Sequence, residues 1–169
     1  MGLRIRAATQ ADSRQIAEVH IATWKSAYAR IISKDYLDSL SVEKRKLRWD
    51  AILQSAKEKE ANLVAEIEGR IAGFISVGPN RAAPWSFAGE IFALYVDSGF
   101  QKKGMGAALF REGKAELRKA GFESAIVWVL RANPSRYFYE KMGGRELEEK
   151  VIRIGEEDLL ETAYGWEVI

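Results

Sequence analysis

Cysteine is absent from this sequence, and there are only three prolines and one histidine in 169 residues. The absence of cysteine excludes disulfides, thiolate nucleophiles and cysteine-ligated zinc. No hydrophobic run approaches the length that crosses a bilayer, and the first residues carry Arg4 and Arg6 in place of an apolar signal core. These absences predict a cytoplasmic protein with no membrane partner and no metal.

The charge is nearly balanced, since 26 basic and 24 acidic residues leave a formal net charge of +2. A nucleic-acid partner is not expected, because such proteins carry a concentrated basic surface. With 47% hydrophobic and 30% charged residues the chain has the composition of a folded globular protein. Its length predicts one domain over residues 1–169.

Hydrophobic periodicity predicts an alternation of strands and helices. Residues 3–7 alternate as in a strand, and Thr9 with Asp12 signals a helix that runs to about Tyr28. Ser33 and Ser41 are predicted helix N-caps, the second of them opening a helix. Further patterns predict a hairpin over 62–77, strands over 90–97 and 124–130, a helix over 104–120, and a short helix capped by Asn133. Two final strands are predicted near 145–154 and 159–168.

A glycine-rich segment, QKKGMG at residues 101–106, connects a predicted strand to a predicted helix. Gly104 and Gly106 allow the backbone to approach a ligand closely, and the free N–H groups of the helix start favour an anion. Lys102 and Lys103 add positive charge suited to a pyrophosphate. The segment therefore predicts a local phosphate site.

Two other phosphate motifs fit this segment poorly. A dinucleotide fingerprint needs a small residue where Leu109 stands, and the Gly-Lys-Ser/Thr ending of a Walker loop is absent. The local pattern alone leaves open a plain strand-to-helix turn that needs glycine for its own geometry.

Two motifs together resemble the GNAT superfamily of N-acetyltransferases. The first is Gln/Arg-x-x-Gly-x-Gly/Ala after a strand, here Gln101, Gly104 and Gly106 behind Leu94, Tyr95 and Val96. The second is an asparagine followed by Phe-Tyr-Glu and a glycine, here Asn133, Phe138, Tyr139, Glu140 and Gly143. The spacing from Asn133 to Tyr139 is one residue shorter than in the commonest form of the family.

The resemblance implies an α/β (α+β) fold with a mixed, mostly antiparallel sheet of about seven strands and about four flanking helices. The sheet is expected to splay between the strands at 90–97 and 124–130, the first of them bulged, so that the pantetheine of acetyl-CoA enters the gap. The amide of Val96 is expected near the thioester carbonyl, where negative charge develops during attack. The implied cofactor-binding residues are Leu94, Tyr95, Val96, Gln101, Lys102, Lys103, Gly104, Met105, Gly106 and Asn133.

The resemblance also implies two proton-handling residues. A protonated amine must lose a proton before it attacks the thioester, and the departing thiolate must gain one. Tyr139 matches the family's usual acid, and the alternative is an aromatic side chain that only packs. Glu90 matches the position of a general base in several members, and the alternative is a strand-end carboxylate paired with a lysine or arginine. His20 is expected to be a core residue.

The acceptor is the least specified part of the prediction. The family implies an acceptor side near the first two helices and the loop before the cofactor strand, which indicates Trp24, Tyr28 and Trp85, with Tyr36 as a further candidate. Ordinary aromatic packing is the alternative for each. The predicted reaction is acetyl transfer to a primary amine of a small molecule or a protein N-terminus. A non-catalytic acyl-CoA-binding module is the alternative, and a homodimer is left open.

Overall fold

The structure is a computed structural model that describes residues 2–55, 57–82 and 84–169. Its strands are β1 (Leu3–Ala7), β2 (Ala61–Ile67), β3 (Arg70–Pro79), β4 (Gly89–Val96), β5 (Ala125–Leu130), β6 (Arg145–Ile154) and β7 (Glu157–Trp166). Its α-helices are α1 (Ser13–Ala27), α2 (Lys34–Ser39), α3 (Val42–Gln54), α4 (Met105–Lys119) and α5 (Arg136–Lys141). Short 3₁₀ turns lie at Gln10–Asp12 and Ser98–Phe100.

The seven strands form one sheet in the order β1-β2-β3-β4-β5-β7-β6. Only β4 and β5 pair in parallel, and the other neighbours are antiparallel, so the predicted mixed and mostly antiparallel sheet is confirmed. The hairpin of β2 and β3 turns at Glu68 and Gly69, whose φ values of 50° and 79° suit a two-residue turn. The described residues form five α-helices; about four were predicted, and the additional helix is α2, which follows Ser33.

Helices cover both faces of the sheet. On one face, α4 buries Met105, Leu109 and Leu117 in the largest hydrophobic cluster of the protein. Gly113 lets this helix lie close to the sheet, because an added Cβ there would be 2.5 Å from Cδ1 of Ile75. On the other face, α1 and α3 pack over β2 and β3 in a smaller cluster.

The predicted helix starts are confirmed at Ser33 and Ser41, whose hydroxyls accept hydrogen bonds from the N–H groups of Tyr36 and Lys44. The predicted N-cap at Asn133 is wrong by two residues, because α5 begins at Arg136 with Ser135 as its N-cap. Asn133 instead caps the preceding turn, where its Oδ1 accepts a hydrogen bond from the N–H of Ser135 at 2.9 Å.

Candidate active site

A gap opens in the sheet between β4 and β5. The two strands pair only at Gly89, Glu90 and Ile91 of β4, the last opposite Val127. Beyond this point β5 continues to pair with β7 as far as Leu130 opposite Glu161. The remaining half of β4, residues 92–96, therefore faces the gap without a strand partner on that side, which confirms the predicted splay.

A β-bulge in β4 produces this divergence. On the β3 side Ser76 pairs with Ala93, whereas Val77 pairs with Ile91, so Phe92 is an extra residue. A bulge bends the strand and increases its twist. Leu94 and Val96 consequently pack against the α4 face of the sheet, and Tyr95 packs against the α1 face.

Hydrogen bonds hold the loop after β4 in a compact turn. The Asp97 carboxylate accepts from the N–H of Gly99 at 2.9 Å, and the Gln101 amide donates to the Val96 carbonyl at 2.9 Å. The Lys103 ammonium donates to the Gly99 carbonyl at 3.0 Å. Lys102 makes no hydrogen bond or ion pair with a described residue. The two lysines therefore differ, since one fixes the loop and the other is available to a ligand.

The start of α4 has the geometry of an anion site. Gly104 is in the left-handed region with a φ of 83°, which favours glycine. The first helical hydrogen bond of α4 is from Ala108 N to Gly104 O at 3.0 Å, so the preceding N–H groups have no helical acceptor. Gly106 lies against Phe138, whose ring carbon Cε2 would be 3.6 Å from an added Cβ.

Tyr139 lies on α5 in the large core cluster, with 7% of its surface exposed. Its ring packs against Phe138, Tyr164 and Trp166. Burial raises the pKa of its phenol, and the proximity of Tyr95 raises the pKa further. Its hydroxyl donates to no described residue, so a neutral phenol with an unused proton lies near Tyr95 of β4.

Glu90 lies on β4 at the closed end of the gap, and its side chain is only 6% exposed. Its Oε2 accepts from the backbone N–H of Arg81 at 2.9 Å and from Nε at 3.2 Å, and its Oε1 accepts from Nη2 at 2.7 Å. The ion pair with Arg81 is therefore the one expected if Glu90 is a strand-end carboxylate and not a general base. Oε1 has a single described donor, which leaves it capacity for another hydrogen bond.

Three aromatic residues meet on the α1 side of the gap. The Trp24 indole N–H donates to the Tyr95 hydroxyl at 3.1 Å, and the rings of Trp24 and Tyr28 pack edge to face at 5.0 Å. Burial raises the pKa of Tyr28, and the nearby phenols of Tyr95 and Tyr139 raise it further. Trp24, Tyr28 and Tyr95 thus lie together at the open end of β4, with the Tyr139 phenol nearby.

The other two acceptor candidates lie apart from this group. Trp85 is 71% exposed in the loop before β4 and shares no aromatic contact with Trp24 or Tyr28 in the described residues. Tyr36 on α2 packs against Gly155 in the turn between β6 and β7.

His20 is a buried residue of α1. Its Nδ1 accepts a hydrogen bond from the Trp49 indole at 3.3 Å, and its ring lies 5.1 Å from that of Tyr95. Burial lowers its pKa to about 3, and the nearby Arg45 contributes to the decrease. The imidazole is therefore neutral at physiological pH and supports the aromatic cluster, as a core residue does.

Sequence reasoning missed two charged residues on this side. Glu161 on β7 has 15% of its side chain exposed and pairs with Lys150 at 3.4 Å. Burial raises the pKa of its carboxyl, and the nearby Glu90 also raises it. Arg45 on α3 lies near His20 and Tyr95. Neither residue belongs to a sequence motif, because the strands and helices that bring them together are far apart in the chain.

The described residues include no cluster of histidine, aspartate and glutamate that suits a metal ion, and none of their helices has the length and apolarity needed to span a membrane. Two open surface depressions lie away from the gap, one beside Ser13 and Lys46 and the other beside Phe87 and Arg145. We base the site on the splayed strands, because those depressions contain none of the groups described above.

A splayed parallel strand pair, a glycine loop that opens a helix and a buried phenol define the fold and site of an acyl-CoA-dependent acyltransferase. Residues 23–144 match the acetyltransferase (GNAT) family, and the chain therefore belongs to it. It is an acetyl-CoA-dependent N-acetyltransferase, which removes the binding-only alternative.

Individual relatives agree with this assignment. The chain is 33% identical over 162 residues to the uncharacterised N-acetyltransferase YuaI of Bacillus subtilis, covering 96% of this chain and 91% of that one. It is 26% identical to the spermidine N(1)-acetyltransferase of Thermoplasma acidophilum, covering 85% of this chain and 88% of that one. The fold is also that of yncA, a putative acetyltransferase from Salmonella typhimurium solved with acetyl-CoA. The TM-score is 0.72 at 20% identity, over 98% of this chain and 94% of that one.

Proposed function

We propose that this enzyme transfers the acetyl group directly to a primary amine of a small molecule or a protein N-terminus, with Tyr139 as the acid. The observation that carries the proposal is the Tyr139 phenol, whose ring is buried, whose hydroxyl has no hydrogen-bond partner among the described residues, and which lies near Tyr95 of the open half of β4. When bound, acetyl-CoA supplies an activated acetyl thioester. The spermidine acetyltransferase among the relatives supports an amine acceptor.

The cofactor is proposed to lie along β4 and over the start of α4. The unpaired backbone of Leu94, Tyr95 and Val96 would bind the pantetheine as a neighbouring strand does. The residues proposed for the pyrophosphate are Gln101, Lys102, Lys103, Gly104, Met105 and Gly106. The free N–H groups and Lys102 favour its negative charge. Asn133 is proposed to contact the cofactor from the turn before α5.

Tyr139 is proposed to donate its proton to the departing sulfur. A phenol in water has a pKa near 10, and burial raises this one, so the hydroxyl stays protonated over the working pH range. A thiolate with a pKa near 8.5 is generated next to that proton only at the end of the transfer. The phenol thus donates its proton to the sulfur atom on which negative charge develops.

Glu90 is proposed to receive the proton of the ammonium group, directly or through water. The support is its burial near the gap and the spare acceptor capacity of Oε1. Arg81 holds the carboxylate in a fixed orientation from the loop before β4. Trp24 and Tyr28 are proposed as the acceptor-binding wall. Trp85 would join that wall only through movement of its loop.

A thiol-release screen of acetyl-CoA against primary amines tests this proposal. The panel should contain diamines, amino acids, amino-acid amides and short peptides with free N-termini. Acetylation of at least one member, confirmed by the mass of the product, supports direct transfer to an amine. Absence of turnover with every amine, together with normal acetyl-CoA binding, would contradict the proposal.

A further inference from the structure

Arg45 is a partly buried arginine with no partner in the described residues. It lies on α3 one helical turn before Trp49, and its guanidinium makes no hydrogen bond or ion pair with a described side chain or carbonyl. Burial lowers its pKa, and the positive charge of Arg48 lowers it further. A guanidinium that gives up hydration without gaining an anion is unfavourable unless another group completes the site.

The acidic residues of α3 do not offset this charge. Glu43 pairs with Arg14 at 2.8 Å, and Asp50 pairs with Lys46 at 2.7 Å and accepts from the Ser13 hydroxyl at 2.5 Å. Both carboxylates are thus engaged with other residues. Arg45 and Arg48 remain as neighbouring positive charges three positions apart on the helix.

Arg45 lies on the acceptor side of the gap. Trp49, four residues later, donates to His20, and the His20 ring packs against Tyr95 of the cofactor strand at 5.1 Å. The place of Arg45 one helical turn before Trp49 sets it on this side, and its positive charge lowers the pKa of both His20 and Tyr95. Thr23, on α1 between His20 and Trp24, is 6% exposed and has a buried hydroxyl without a partner in the described residues.

Charges of opposite sign act on the Tyr95 phenol, since the positive charge of Arg45 lowers its pKa and the negative charge of Glu161 raises it. The carboxylates of Glu90 and Glu161 come from β4 and β7, whereas the guanidinium of Arg45 comes from α3. Such an arrangement suits a molecule that carries a positive and a negative group.

We propose that the acceptor is a small primary amine that also carries a carboxylate, and that Arg45 binds this carboxylate. The inference rests on the proposed function, since it names the acceptor class of the same site. Arginine suits this role because its planar N–H groups match both oxygens of a carboxylate. The amine would then lie toward Tyr95 and the two glutamates.

Matched acceptors test the inference directly. Each amino acid of the screen is compared with its own carboxamide, which keeps the amine and side chain and removes the negative charge. For at least one amino acid, we expect kcat/KM to exceed that of its amide by tenfold or more. Arg45→Gln should raise KM for that amino acid by roughly 10- to 100-fold, the effect of losing a charged hydrogen bond. Its KM for acetyl-CoA should be unchanged.

Arg48→Gln is the matched control, because it removes the same charge from the same helix at an exposed position. We expect it to leave the preference for the carboxylate intact. Equal turnover of acids and amides by the unmodified enzyme, or equal effects of the two substitutions, would overturn the inference while acetyl transfer to amines still stood. If no amine of the panel is acetylated, the proposed function fails and the acceptor inference fails with it.

Discussion

The two faces of the sheet differ in how they build their halves of the site. On the α4 face, one continuous hydrophobic cluster supports a loop and a helix start whose proposed ligand-binding groups are mainly backbone N–H groups. On the α1 face, the core is divided into smaller clusters. Buried polar side chains lie among or beside them, including His20, Ser76 and Glu90.

This difference corresponds to the two substrates of the reaction, the acetyl-CoA donor and the amine acceptor. Backbone groups at a helix start bind a phosphate whatever the neighbouring side chains are, so a short motif suffices for the donor. The proposed acceptor half depends on side chains from α1, α3, β4 and β7, and we expect their identity to set which amine fits. The following predictions test this division.

The largest effect is expected on the cofactor half. Gly106→Trp should abolish the increase in melting temperature that acetyl-CoA produces, because the indole would extend from a Cβ 3.6 Å from Phe138 into the space over the start of α4. For the unmodified enzyme, a concentration of about 100 times Kd should raise the melting temperature by roughly 5–10 °C.

Gly106→Ala is the control for this change. Its methyl group has only ordinary contacts, so the variant should keep most of the shift. Normal acetyl-CoA binding by Gly106→Trp would show that the loop assignment is wrong.

Glu90 tests the acceptor half. If it is the base, Glu90→Gln should lower the rate by roughly a hundredfold or more at neutral pH, and the deficit should shrink at high pH, where the amine is already neutral. The measurement is the pH dependence of kcat/KM for the amine.

Arg81→Gln separates the two roles of Glu90. It removes the side-chain ion pair and keeps both the carboxylate and the backbone donor. A rate loss from Glu90→Gln that is the same at every pH and is reproduced by Arg81→Gln would identify Glu90 as a structural carboxylate.

Substitution of Tyr139 tests the proposed proton donation that links the donor half of the site to the acceptor half. Tyr139→Phe keeps the ring and removes a hydroxyl that has no described partner, so we expect little change in stability. The turnover number should fall by roughly ten- to a thousandfold while acetyl-CoA affinity stays nearly unchanged. Single-turnover measurements should be used, so that product release does not hide the chemical step.

Tyr164→Phe is the matched control. The Tyr164 hydroxyl donates to Glu140 at 3.0 Å, and its ring stacks with that of Tyr139. Its removal should cost about 1 kcal/mol of unfolding free energy and leave turnover unchanged. Parallel losses of turnover and affinity in Tyr139→Phe would make Tyr139 a binding residue.

The smallest effect concerns the buried polar core of the α1 face. The pKa of His20 is lowered to about 3 in the folded state, against a usual value near 6.5 when unfolded. Above pH 6.5 the imidazole is neutral in both the folded and the unfolded state, so its contribution to stability is fully present there. Below pH 6.5 the imidazole is protonated in the unfolded state but not in the folded state. The free energy of unfolding therefore decreases with pH until the pH reaches the folded pKa of about 3.

Urea unfolding at pH 7 and pH 5 measures this contribution. The unmodified protein should lose about 2 kcal/mol more unfolding free energy between these values than His20→Gln, which keeps an acceptor for Trp49. Identical losses in the two proteins would show that His20 is not held neutral by burial.

The donor half could be predicted from sequence because its information is local. The glycines at 104 and 106 follow a strand and open a helix within a few residues, and the hairpin at Glu68 and Gly69 likewise depends on its own backbone conformation. The order of strands and helices follows from hydrophobic periods of two and about 3.6 residues. Where a local signal was ambiguous, as between the turn at Asn133 and the start of α5, the boundary was misplaced.

The acceptor half depends on contacts that no local pattern encodes. Glu161 and Glu90 approach each other because β4 and β7 flank β5, although about seventy positions separate them in the chain. Arg45 reaches the same region because Trp49 of α3 packs against His20 of α1. The burial that raises the pKa of Glu161 and lowers the pKa of Arg45 arises only when these elements pack together. The amino-acid order thus specifies the glycine loop and helix start proposed to bind the donor, and packing across the sheet assembles the surface proposed to select the amine.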